Sequence, residues 1–161
     1  MDIQHRARPD FAIEALVRRL LVHASTLEVN VADIVLKSGG GAVSTKVEVL
    51  NGDQAASSSM VWVLDGTEPD HFKQDHAVKT PDDPEGQLYA VGAVSDLDDK
   101  YLEWVWTATR APGSTAPSGK IRITVVQGNT PVDGYPLVKS FDFDDAGPVT
   151  YSLTRHLRAG A

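Results

Sequence analysis

The stretch "PDHFKQDH" (69–76) holds two histidines five residues apart, His71 and His76, each with an aspartate close before it, Asp70 and Asp75. Imidazole and carboxylate are zinc ligands, and a histidine held by an aspartate is a general base with its orienting partner. The spacing limits how such a site is built. Five residues turn a helix through about 500°, leaving the rings ~140° apart, and on a strand an odd spacing sends them to opposite faces. Only a folded loop brings them together. The surrounding "DGTEPDHFKQDHAVKTPDDPEGQ" reads as such a loop, polar and interrupted by three prolines. Its length is of the kind that compact domains keep for function.

Two acidic turns carry the second possible chemistry. "SDLDDK" (95–100) supplies Asp96, Asp98 and Asp99, and "DFDDAG" (142–147) supplies Asp144 and Asp145. Calcium takes several carboxylate and carbonyl oxygens at about 2.3–2.6 Å, which two loops at one end of a β-structure can provide. Neither stretch has the glycine and glutamate spacing of an EF-hand loop, and aspartate also favours turns through its own backbone hydrogen bonds. Calcium ahead of zinc is the cofactor to test. A third pattern is aromatic. Trp104 and Trp106 share one strand face and make a candidate platform for a sugar ring, although Leu102 and Ala108 on the same face suit burial.

Other catalytic signatures are absent. No serine stands in a Gly-x-Ser-x-Gly elbow. "GGGAVSTK" (39–46) has glycines but lacks the Gly-Lys pair of a phosphate loop, and a strand pattern follows it. There is no cysteine, which removes thiolate nucleophiles, thiolate metal sites and disulfides. The reading leans away from an enzyme.

The elements that must position these residues are mostly strands. Val43, Thr45, Val47 and Val49 alternate with polar residues, as do Ile121, Ile123 and Val125, Phe141 and Phe143, and Val149, Tyr151 and Leu153. "MVWVL" (60–64) and "LYAVGAV" (88–94) are apolar on both faces and read as central strands. "VSTKVEV", with Lys46 and Glu48, reads as a charged, guarded sheet edge. With "YLEWVWTAT" (101–109), that makes about seven strands, separated by turn-rich pieces such as "APGSTAPSG". The expected fold is an antiparallel β-sandwich, immunoglobulin-like or jelly-roll.

Ahead of the sheets, Pro9 opens a helical pattern over 9–24. Ile13, Leu16, Val17, Leu20, Leu21 and Ala24 form one face, with Arg18 and Arg19 on the other. This helix packs on a sheet or pairs with another chain, and in the second case Leu16, Leu20 and Leu21 are its anchors. "TLEVNVADIVLKS" (26–38) mixes strand and helix spacing. The expected organisation is one domain over 1–161, with a helical or irregular segment at 1–41 and the sandwich at 42–155.

Composition bounds the partners. The 161 residues carry a net charge of −7, with 15 basic residues dispersed along the chain, which argues against nucleic acid. No run reaches the ~18 apolar residues of a membrane span, and Arg18 and Arg19 split the best apolar stretch near the N-terminus. Together with the absence of cysteine, this places the chain in the cytoplasm as an expectation. The leading expectation of function is binding or self-assembly, with a second copy or another protein as partner. A metal-dependent module for carbohydrate or anionic headgroups is the alternative, and a small His/Asp hydrolase or isomerase is the next.

Overall fold

The computed structural model describes residues 33–50, 54–66, 73–145 and 147–160. The helix expected over 9–24, with Leu16, Leu20 and Leu21, lies outside them, as do Asp70 and His71.

The described residues are mostly β. In chain order they form β1 (Ile34–Lys37), β2 (Val43–Val49), β3 (Gln54–Asp65), β4 (Lys73–Lys79), β5 (Tyr89–Gly92), a short helix α1 (Val94–Leu97), β6 (Tyr101–Arg110), β7 (Ser118–Gln127), β8 (Thr130–Pro131), β9 (Leu137–Asp142) and β10 (Val149–Gly160). The first sheet runs β1-β10-β6-β3-β4, and the second runs β5-β2-β7-β8, with β9 also paired to β7. All pairings are antiparallel except β1 on β10, which is parallel.

Period-two patterning explains why these segments pair as they do. Along β7, Ile121, Ile123 and Val125 are fully buried, while Lys120 and Arg122 between them are exposed. On β6, Leu102, Trp104, Trp106 and Ala108 turn inward and meet Val61 and Val63 of β3 and Leu153 of β10. The second sheet contributes Val43, Val47, Val91, Ile121, Ile123, Val125 and Phe141 to the same cluster, so the two sheets share one core. Trp104 Nε1 crosses between them to donate to Thr45 Oγ1 at 3.0 Å. Each fully buried aliphatic side chain contributes about 1.5–3 kcal/mol. A one-residue slip would expose a whole set of them at once, which locks the register.

Several expectations need correction. Among the described residues ten strands form, where about seven are expected. "VSTKVEV" is not an edge: β2 pairs with both β5 and β7, and the Lys46–Glu48 ion pair (3.0 Å) lies on its outward side. "LYAVGAV" is not central, because β5 is four residues long and among the described residues pairs only with β2. Seven residues of the polar passage expected as loop form the edge strand β4. Five consecutive exposed residues, Lys73–Ala77, gave it no burial period to read. The sheets also begin before residue 42 and run past 155, since Ile34 and Leu36 of β1 bury beside Leu157 of β10.

Candidate functional site

The residues singled out by sequence fall in separate places. On β4, His76 Nε2 donates to the Val91 carbonyl of β5 (3.1 Å), and its Nδ1 faces Asp75 Oδ2 at 3.1 Å. Lys100 Nζ donates to the same Asp75 oxygen at 2.7 Å. The Lys100 hydrogen bond first, and that of His76 second, hold the Asp75 carboxyl below its ordinary pKa. Both His76 nitrogens are thus engaged, and the Nε2 bond ties one sheet to the other.

The two acidic turns do not meet. Asp96, Asp98 and Asp99 adjoin the start of β6 and the end of β10, whereas Asp144 and Asp145 adjoin the end of β6 and the start of β10. Ten residues of β6 separate them, roughly 30 Å at ~3.3 Å per residue. Asp98 Oδ1 accepts from Ala159 N (2.8 Å), Asp96 Oδ1 accepts from Ser95 Oγ (3.2 Å), and Asp145 pairs with Arg110. Among the described residues no three His, Asp or Glu side chains are placed to hold a metal ion. The tryptophans are core residues. Trp104 is fully buried and Trp106 is 5 % exposed, stacked on Tyr151 at 5.8 Å, so neither offers an open platform.

Three polar nodes were not visible in the sequence. The first surrounds His156, which is buried and stacked on Tyr101 with ring centroids 4.6 Å apart. Its Nε2 donates to Asp99 Oδ1 (2.8 Å), and its Nδ1 accepts from Arg158 Nε (3.1 Å). Arg158 Nε also lies 3.0 Å from Asp33 Oδ2. Asp99 has a φ of 62°, the left-handed conformation that non-glycine residues seldom adopt. It is held there by His156 and by its own N–H on the Leu157 carbonyl (3.0 Å). A histidine–aspartate pair is the constellation of a general base. Here both nitrogens are occupied and the ring is buried, so the group works as a clasp between β10, the turn after α1 and the lead into β1.

The second node is Lys79, the last residue of edge strand β4, turned inward and only 2 % exposed. Its ammonium donates to Ser59 O (2.8 Å), Thr80 O (3.1 Å) and Glu85 Oε1 (3.1 Å), which uses all three donors. Glu85 in turn accepts from Ser59 N (2.7 Å) and Oγ. The third is Gln127 at the end of β7. Its side-chain amide copies a strand partner, accepting from Lys37 N (2.8 Å) and donating to Lys37 O (2.6 Å). A Cβ at Gly40 would stand 2.6 Å from the Gln127 amide carbon and would push that side chain off Lys37. Beside this contact, Val35, Lys37, Gln127, Pro131, Val132 and Asp133 line a cavity of about 120 Å³. Ligand pockets commonly measure ~300–1,000 Å³. This one has the scale of a single side chain.

Comparison with protein-family models, curated proteins and solved structures finds no match for the chain.

Proposed function

We propose that the protein is a non-catalytic β-sandwich, immunoglobulin-like or jelly-roll in class, that works by self-association along its β1/β8 side. The outward edge of β1 carries this reading. Peptide groups alternate sides along a strand, and Lys37 turns its N–H and C=O away from β10 to Gln127. Asp33 and Val35 therefore turn theirs the same way. Among the described residues no hydrogen-bond partner meets Val35 on that side, and its side chain is 56 % exposed. Such an edge is a template for strand addition, with the adjoining cavity available to one side chain.

A second copy fits this edge by charge. Antiparallel pairing centred on Val35 sets Val35 against itself and Lys37 against Asp33 of the second copy, twice over by symmetry. The first sheet then continues across two molecules. The occupied ring nitrogens of His76 and His156, and a cavity too small for a typical substrate, support a role without catalysis.

Sedimentation equilibrium tests the reading. The chain is expected to dimerise, and Val35→Pro to weaken the dimer at least tenfold. That substitution removes an outward N–H and leaves the β10 pairing intact. A wild-type chain that stays monomeric across the accessible concentrations overturns it.

A further inference from the structure

Two opposite charges share the cavity on the β1/β8 side: Lys37 from the β1 wall and Asp133 from the turn that follows β8. Thr130 adds a hydroxyl, and Val35, Pro131 and Val132 add apolar surface. Elsewhere in the molecule, opposite charges brought together pair directly, as Lys100 does with Asp75 and Arg158 with Asp33. Lys37 and Asp133 do not. Among the described residues neither enters an ion pair, with the other or with a third group. Both charges are nevertheless set on braced backbone. The Gln127 amide accepts from Lys37 N and donates to Lys37 O, which fixes the backbone that carries the lysine side chain. Across the cavity, Tyr135 N–H donates to Val132 O (3.0 Å) and Gly134 adopts a φ of 82°, a tight turn with Asp133 at its second position. Val132 N–H is itself tied to Val125 O (2.9 Å). Preorganised charges bind a ligand at a lower ordering cost than mobile ones.

We propose that this cavity binds a free α-amino acid with a small apolar side chain, of the size of valine. A zwitterion presents the two charges that the walls leave unmet. Its carboxylate meets the Lys37 ammonium, and its ammonium meets the Asp133 carboxylate and the Thr130 hydroxyl. Its side chain lies on Val35, Pro131 and Val132. Volume sets the upper limit. A cavity of about 150 Å³ holds benzene. One of about 120 Å³ therefore takes an isopropyl group with its Cα and excludes an indole. The site stands independently of pairing at β1, where a second copy would compete for the same Lys37 ammonium.

The test is an NMR titration of the isotope-labelled full chain with L-valine, isobutyrate and isobutylamine. It is followed at the amides of Gly40, Gln127, Thr130 and Asp133, at a protein concentration where sedimentation shows a single species. L-Valine is expected to shift these amides saturably. Isobutyrate and isobutylamine each lack one charge-assisted bond, and each is expected to bind at least about tenfold more weakly. Asp133→Asn is expected to weaken L-valine by about the same factor and to leave isobutyrate unchanged. Lys37→Met is expected to weaken L-valine likewise and to leave isobutylamine unchanged. Both side chains are exposed, so both variants are expected to keep the fold. Shifts that stay linear in concentration for all three compounds overturn the proposal. Isobutyrate or isobutylamine binding as tightly as L-valine overturns it by reducing the cavity to a site for one charge. So does L-valine binding that neither substitution weakens.

Discussion

The two open sides of the paired sheets are closed by different means. On the β4/β5 side, His76 bonds across to Val91, Lys100 grips Asp75, and the 80–88 connection is fastened by Lys79, Glu85 and Ser59. Gly86 N adds a bond to Val47 O at 3.1 Å. The β3–β4 ladder also shifts register twice, which twists the edge away from a would-be partner. On the β1/β8 side one neutral side chain, Gln127, spans from β7 to β1, next to an open cavity and an exposed valine. An inward lysine and bulges are the devices by which edge strands refuse new neighbours. An amide that imitates a strand occupies an edge and can be displaced from it. Under the proposed function, one side is guarded and the other is the side open to association.

The largest effect is expected where the guarded side depends on a buried charge. Glu85→Ala leaves the Lys79 ammonium with two carbonyls and no counter-charge, and losing one partner of a buried pair costs about 3–5 kcal/mol. The 30 % exposure of Glu85 lets water compensate in part, so the lower end of that range is expected in urea unfolding. Lys79→Met removes charge and demand together and is expected to leave stability within about 1 kcal/mol. It should also make the β4 edge prone to aggregate, measured by light scattering. Equal destabilisation by the two substitutions would show that the lysine stabilises the fold instead of guarding its edge.

The different legibility of the two sides in sequence has a physical cause. β7 and the inner face of β6 were readable, because a strand with one face in the core must alternate. β4 was not, since an edge strand exposed on both faces has no period. The Lys79 node was hidden because an inward lysine looks like any surface lysine until Ser59 and Glu85 are folded around it. Gln127, next to Gly128, has the sequence character of any polar residue entering a turn. The acidic turns were legible as turns, but their separation by the length of β6 is a fact of pairing. His156 carried no signal, as its partners Asp33 and Asp99 lie 123 and 57 positions away.

Gln127→Leu keeps the bulk and deletes the imitation strand. Two hydrogen bonds at about 0.5–1.5 kcal/mol each are lost, and Lys37 N–H loses its side-chain acceptor. A loss of about 2 kcal/mol is expected in urea unfolding, together with stronger concentration-dependent association as the β1 edge opens. A stability loss with association unchanged or weaker would make Gln127 a structural brace only, and would end the contrast between the two sides.

Acid gives the smallest and most selective perturbation. Among the described residues the carboxyls held below their ordinary pKa of 3.8 are Asp75, by Lys100 and His76, and Asp83, by the Thr80 backbone N–H (2.7 Å) and hydroxyl (2.9 Å). Both belong to the β4/β5 side. A carboxyl whose pKa falls on folding adds stability above its unfolded value, and loses that contribution as pH drops through the lower folded value. Between pH 5 and 8 these contributions are therefore complete, and below about pH 4 they fade. Amides of β4 and of the 80–88 connection are expected to lose hydrogen-exchange protection in that window ahead of those in β1 and β10. Asp75→Asn should flatten the acid response of β4 and leave that of β1 unchanged. Both groups are exposed, so the shift in global stability is small, and the order of opening is what discriminates. If β1 opens first in acid, the amide-closed side is the weaker under every condition. If β4 opens first, each side has its own trigger, protons for the charged one and a competing strand for the neutral one.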